Sequence, residues 1–118
     1  MREERRKQRS EYWDLALQYF LQARAQRNKL VGLILADTSG LLVSSTMSRA
    51  YSERIAARAP MLIKRKVKLD SPMGKPVQIQ KLSVGSDPLY ICAVGGPGLD
   101  EELFGTIEGD VKRIIGPN

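Results

Sequence analysis

The sequence contains no histidine, and Cys92 is its single cysteine among 118 residues. Without histidine, a serine or cysteine nucleophile lacks its commonest general base, and a metal site lacks its commonest ligand. One cysteine allows no intrachain disulfide, which is typical of a protein of the reducing cytosol. Cys92 also falls in a predicted buried strand, where a thiolate is disfavoured. We therefore predict no enzyme activity, no catalytic residue, no cofactor and no metal site.

Long apolar runs are also missing. The run from Leu30 to Ala36 ends at Asp37, far short of the roughly 20 residues that a membrane-spanning helix needs. The opening MREERRKQRS carries charges without an apolar stretch, so it lacks the features of a secretion signal. We expect a cytoplasmic protein with no membrane span.

A phosphate-binding loop is a further absence. The stretch GGPGLDEEL places glycines before a predicted helix, which is the geometry that cradles phosphate groups. The lysine and hydroxyl of a P-loop are absent, however, and Asp100, Glu101 and Glu102 would repel a phosphate. A tight strand-to-helix connection is the better interpretation.

The remaining composition is that of one globular domain. Hydrophobic residues make up 42% and charged residues 27% of the chain, which argues against disorder. The run Leu30 to Ala36 is a buried strand candidate, and Asp37 to Gly40 supply the turn of a hairpin before LLVSS. The stretch from Leu89 to Val94 is apolar on both faces, as in a central strand.

One further strand, PVQIQKLSV, has an irregular pattern. Val77 and Ile79 alternate, whereas Leu82 and Val84 fall on the opposite phase. A bulge near Gln80 or Lys81 would reconcile the two halves.

Three helices are predicted. The first begins after Ser10 as N-cap, so that residues 1–10 form a charged tail and 11–115 the domain. The second contains Pro60, which predicts a kink or two short helices that meet near Ala59. The third runs from about Asp100 to Ile115, with Gly116-Pro117 as its stop signal. Their buried residues are predicted as Trp13, Leu17, Phe20 and Leu21; Tyr51, Ile55, Ala59, Leu62 and Ile63; and Leu103, Phe104, Ile107, Val111, Ile114 and Ile115.

The positive charge is concentrated in one segment. Between Arg49 and Lys68 there are seven basic residues and one acidic residue, and this surplus of six equals the formal net charge of +6. At 100° per residue, Arg54, Arg58 and Arg65 project on one side of the second helix, beside its apolar stripe. Three interpretations stay open: a solvated surface, a protein interface bordered by guanidinium groups, and a binding surface for nucleic acid or anionic membrane. Tyr51 is the one aromatic residue of this segment that could stack on a base.

The order of elements and the stretches GLILADTSGLLVSS and LYICAVGG resemble the roadblock/dynein light chain domain. The resemblance covers about Glu11 to Ile115. It implies a profilin-like α/β fold, in which helices in the order α-β-β-α-β-β-α cover an antiparallel sheet of about five strands. It also implies a non-enzymatic homodimer that scaffolds or regulates Ras-like small GTPases, as a GTPase-activating-protein-like or dynein light chain-like component, or that serves bacterial cell polarity and gliding motility.

Carried over by position, the dimer elements of such a domain are the second helix and the third strand. They fall on Tyr51, Ile55, Ala59, Leu62, Ile63, Val77 and Ile79. Arg54, Arg58 and Arg65 are the predicted basic stripe for the partner. We expect a Ras-like GTPase or an acidic polarity or scaffold protein as that partner and no nucleic acid. The alternative is a basic module for nucleic acid or an anionic membrane surface.

Overall fold

The computed structural model describes residues 2–65, 69–70, 76–84, 88–96 and 99–115, with side chains from residue 15 onward except at 64, 65, 69 and 70. Within these residues, three helices and five strands follow the predicted order, with one short extra strand after the second helix. Their bounds are α1 Arg2–Arg27, β1 Gly32–Asp37, β2 Leu42–Ser45, α2 Arg49–Arg65, β3 Leu69–Asp70, β4 Pro76–Leu82, β5 Leu89–Val94 and α3 Glu101–Ile115. The predicted stop signal Gly116-Pro117 lies outside the described residues.

The strands form one antiparallel sheet in the order β2-β1-β5-β4-β3. The prediction of about five antiparallel strands is confirmed. The predicted central strands β1 and β5 lie in the middle, and every residue from Leu89 to Val94 is buried. Because neither face of these strands contacts water, the sheet must be covered on both sides.

Two separate apolar clusters cover the two faces. Leu33, Leu35 and Ile91 point into a cluster with α1 and α3. Ile34, Cys92 and Val94 point the other way, into a cluster with α2. Within the described part of the chain, the fold is therefore a sheet with two helices on one face and α2 on the other.

Helix α1 begins at Arg2, so its predicted start after Ser10 is wrong. Ser10 lies inside the helix and not at its N-cap. The chain has neither glycine nor proline before Gly32, and a cap preference of about 1 kcal/mol does not stop a helix that no residue breaks. The division into a tail of residues 1–10 and a domain of 11–115 stays a prediction.

The turn between β1 and β2 forms as its sequence predicts. The Asp37 carboxylate accepts hydrogen bonds from the backbone N–H groups of Ser39 at 2.8 Å and Leu41 at 2.9 Å. Gly40 adopts φ of +86°, a backbone conformation that is strained for a residue with a side chain. A Cβ atom at Gly40 would also lie 3.2 Å from the Cα atom of Ala57 in α2. The turn therefore packs directly against the second helix.

Strand β4 contains no bulge at Gln80 or Lys81, so that prediction is wrong. Its pairing with β5 runs in continuous register from Val77 to Leu82. The change of phase has another cause, because Val77 and Ile79 face the α2 cluster whereas Leu82 faces the α1 and α3 cluster. A strand covered on both faces can carry apolar residues in both phases.

Helix α2 continues through Pro60 to Arg65, so the alternative of two short helices is wrong. Proline inside a helix costs about 3 kcal/mol through a lost hydrogen bond and steric crowding. Packing of an apolar face against a sheet supplies most of a helix's stability, and Ala59 is completely buried there.

Helix α3 begins at Glu101, with Asp100 as its N-cap. The Asp100 carboxylate accepts a hydrogen bond from the Leu103 N–H at 2.7 Å, which satisfies one of the unpaired donors of the first turn. The predicted inner side is confirmed: Leu103, Ile107 and Val111 are buried, and Phe104, Ile114 and Ile115 pack against the same cluster.

Two glycine substitutions should have opposite effects on stability. Gly40→Ala should lower the free energy of unfolding by about 1–2 kcal/mol, because of its positive φ and the close α2 backbone. Gly105→Ala should raise it by up to about 1 kcal/mol, since a Cβ there meets no described atom within 4 Å. Urea unfolding of both variants and wild type measures the two changes. If both substitutions changed the free energy of unfolding in the same direction, the account of the turn would be contradicted.

Candidate functional site

The first turn of α2 is fixed to the end of β2 by hydroxyl groups. The hydroxyls of Ser45 and Ser52 lie 2.5 Å apart, and the Met47 N–H donates to Ser45 Oγ at 2.9 Å. Ser52 is completely buried, so this polar contact is shielded from water and holds the helix in one position on the sheet.

The inner side of α2 is used by the chain's own core. Ile55 is 1% exposed and Ala59 0% exposed, and both pack against the sheet. Val77 of β4, at 1% exposed, belongs to the same cluster. The prediction that Ile55, Ala59 and Val77 contact a second copy needs correction, because their side chains have no surface left to bury. The predicted stripe is an apolar face of α2, but this face packs against the sheet of the same chain.

The other predicted interface residues keep part of their surface. Tyr51, Ile63 and Ile79 are partly buried at the margin of the α2 cluster. Leu62 is also partly buried but belongs to neither core cluster. Its neighbour Met61 is 53% exposed. Sequence reasoning missed Met61 because it lies outside the stripe, although adjacent apolar residues after Pro60 were a signal.

Tyr51 carries a buried hydroxyl group with no hydrogen-bond partner among the described residues. Such groups are rare because an unpaired buried hydroxyl has lost its hydrogen bonds to water. Tyr51 lies at the margin of the α2 cluster, on the same side of the helix as Leu62.

The basic stripe is partly described. Arg54 and Arg58 are exposed, and within the described residues neither forms an ion pair. The side chain of Arg65 lies outside the described residues. Helical geometry places Arg54 and Arg58 between the outermost line of α2 and the side of Tyr51 and Leu62. Exposed guanidinium groups beside an apolar residue suit a partner surface that carries carboxylates.

Strand β4 borders this side of the molecule. Within the described residues its outer edge is paired only at Pro76 and Val77, by the two residues of β3. The residues from Gln78 to Leu82 pair with β5 on the inner edge. Unpaired backbone groups at such an edge can pair with another strand. The edge of β4, which has no further partner strand among the described residues, and the outer part of α2 therefore lie on the same flank.

Cys92 lies where a thiol is unreactive. Its side chain is 0% exposed, and burial raises the pKa of the thiol to about 12. At neutral pH it is a protonated core residue. Among the side chains that are described, no group of three potential metal ligands comes together.

Comparison with known proteins adds the fold class. No protein-family profile matches the chain, and no curated protein matches it in sequence. Among solved structures, the chain is similar to Myxococcus xanthus MglB with a TM-score of 0.51, over 87% of this chain and 86% of that chain. The fold is roadblock-like. At 10% identity, the likeness concerns the fold alone, and it agrees with the resemblance found in the sequence.

The roadblock-like core can be tested at Ile55. Ile55→Asp should lower the free energy of unfolding of the protomer by more than about 3 kcal/mol, because it removes buried apolar volume and introduces an unpaired carboxylate. Thermal unfolding followed by circular dichroism measures the loss. An Ile55→Asp protein that unfolds like wild type would show that this side chain does not belong to the core.

Proposed function

We propose that this chain is a non-enzymatic homodimeric adaptor or regulator that binds a Ras-like small GTPase or another cell-polarity or motility protein. The observation that supports it most is the flank of α2, where exposed arginines adjoin apolar residues that the core does not use. The roadblock resemblance supplies the class of partner, since such domains act by binding and not by catalysis.

The homodimer is proposed through α2 and β4. Leu62 and Met61 offer apolar surface on α2, and the residues from Gln78 to Leu82 offer a strand edge. Twofold pairing would bury the same patch of both copies, as most homodimers do. Tyr51, Ile63 and Ile79 would contribute the parts of their side chains that remain exposed.

Arg54 and Arg58 are proposed to border this dimer and to contact the partner. Guanidinium groups form paired hydrogen bonds with carboxylates, so the expected partner surface is acidic. Arg65 is proposed to extend the stripe. We also propose a cytoplasmic location. Within the described residues, no helix is both long enough and apolar enough to cross a bilayer.

Leu62→Asp should dissociate the dimer without unfolding the protomer. A carboxylate at an apolar interface loses its hydration without gaining a partner, whereas in the protomer Leu62 belongs to neither core cluster. Light scattering coupled to size-exclusion chromatography at micromolar concentration gives the mass. Ala50→Asp is the matched control, because Ala50 is exposed in the first turn of the same helix. A wild-type protein with the mass of one protomer would refute the homodimer.

A second candidate function follows from the charge. The surplus of six positive charges between Arg49 and Lys68 could attract phosphate groups of nucleic acid or of an anionic membrane. The apolar residues beside the arginines favour the protein partner, because phosphate contacts do not require them. The two functions differ in how strongly the binding affinity depends on salt and in whether the bait retains a protein or a nucleic acid or membrane.

The double variant Arg54→Glu/Arg58→Glu should separate the two functions. Used as bait in native cytosol with a non-hydrolysable GTP analogue, wild type should retain a Ras-like GTPase or polarity protein. The variant should retain it at least about tenfold less, since attraction becomes repulsion. Mass spectrometry identifies the retained proteins. The control Arg27→Glu/Lys112→Glu changes net charge equally on exposed residues of the other layer.

The contrary outcome is also specific. Sub-micromolar, salt-sensitive binding of wild type to RNA, DNA or anionic vesicles at about 150 mM salt, lost in the arginine variant, would favour the second candidate.

A further inference from the structure

An open groove of about 790 Å³ lies at the β2 end of the sheet, away from the flank proposed for the dimer. Its floor is the turn and strand from Gly40 to Ser45. Its walls are formed by α2 on one side, through Arg49, Glu53 and Ala57, with Met47 from the preceding connection, and by α1 on the other, through Gln18. The groove thus follows the outer edge of β2.

Helix α2 runs antiparallel to β2 along this groove. Ser52 contacts Ser45 at the end of the strand, and one turn later Ala57 closely approaches Gly40 before its start. The helix therefore runs alongside the strand edge that forms the floor of the groove. An edge strand beside a helix is an arrangement in which domains accept an extended peptide as an additional strand.

The backbone of β2 offers hydrogen bonds to such a strand. The carbonyl of Leu41 accepts from the Asp37 N–H, and the Thr46 N–H donates to the Leu33 carbonyl, so Leu41 and Thr46 face β1. Backbone groups alternate in direction along a strand, and the register shift opposite Leu35 and Ala36 inserts one extra residue between Leu41 and Thr46. The backbone groups of the adjacent Leu42 and Ser45 therefore both face the groove. The exposed side chain of Leu41, at 65%, adds apolar surface at one end.

The α2 wall carries one charge of each sign. Arg49 Nε lies 2.7 Å from Glu53 Oε1, and their side chains are 87% and 52% exposed. Arg49 is the first residue of α2, where the helix dipole disfavours a cation, and no acidic residue stands in that first turn. Four residues of helix rise about 6 Å, and two residues of strand advance about 6.7 Å. An added strand could therefore place an acidic residue beside Arg49 and a basic residue, two positions away, beside Glu53.

We propose that this groove binds an extended segment of a partner protein as a sixth strand beside β2. The segment has an acidic residue that faces Arg49 and, two positions away, a basic residue that faces Glu53. Its intervening residue points to the α1 side, toward Val43 and Gln18, and is uncharged. Arg54 lies about 100° around the helix from Glu53, and Arg58 lies about 100° from Ala57. The arginines of the function proposed above therefore do not line the groove, and peptide binding there does not depend on that function.

Two capped, fluorescein-labelled heptapeptides of threonine and valine are the probes. Both contain one glutamate and one lysine two positions apart, in opposite order. Fluorescence anisotropy should show saturable binding, with one order about tenfold tighter because two favourable charge pairs replace two repulsive ones. Hydrogen exchange of the Leu42 and Ser45 amides should slow when the tighter peptide is bound. Equal affinities, no binding of either peptide, or unchanged exchange would overturn the proposal.

The double variant Arg49→Glu/Glu53→Arg should invert the preference between the two peptides. It keeps the ion pair of the helix and places the acidic residue nearer the N-terminus, so the fold should persist. Arg54→Glu/Arg58→Glu is the control that should leave the preference unchanged. A folded Arg49→Glu/Glu53→Arg protein with the wild-type preference would overturn the proposal. If circular dichroism shows that it does not fold, the wild-type peptide comparison and the exchange rates decide.

Discussion

Burial of the two central strands on both faces is the constraint on which the remaining structure depends. Leu33, Ile34 and Leu35 of β1 alternate between the two faces, yet all are completely buried. Each such side chain stabilises the fold by about 1.5–3 kcal/mol relative to exposure, and this gain requires helices on both sides of the sheet. Within the described residues two helices cover one face and α2 covers the other, so the second helix cannot leave without exposing the whole cluster around Ile34, Ile55 and Cys92.

A single helix across a wide sheet has two flanks, and their chemistry differs. The flank toward β4 carries Arg54, Arg58 and Leu62, while the flank toward β2 carries the Arg49 and Glu53 ion pair. Each flank ends at a strand edge. The surfaces available for partners thus follow from the position of α2, and the charges on each flank decide which kind of partner fits. A carboxylate-rich partner surface is proposed for the first flank, and an extended segment of mixed charge is proposed for the second.

Much of the fold could be predicted because local signals agreed with the tertiary structure. The turn at Asp37 to Gly40, the central strands and the buried side of α3 each depend on nearby residues or on periodicity. The errors have a common origin in competition between signals. Ser10 is a residue type that favours an N-cap, but the helix continues through it because no residue breaks it. The apolar residues of β4 occur in both phases because both faces are buried, and not because of a bulge. For the site, the arginines could be placed on one side of a helix, but the neighbouring groove could not be predicted.

The sequence by itself determined the order of elements, the apolar stripe of α2 and the poverty in catalytic groups, because residue types and their spacing encode these directly. Only the tertiary structure decided what the stripe contacts. The sequence pattern of an apolar helix face is the same whether the face packs on its own sheet or on a second copy, since burial of apolar surface is favourable in both cases. The structure assigns Ile55 and Ala59 to the sheet and leaves Met61 and Leu62 outside the core clusters. It also joined residues 40–45 and 49–57 into one groove, because the pairing of β2 with β1 and the course of α2 depend on contacts along the whole chain.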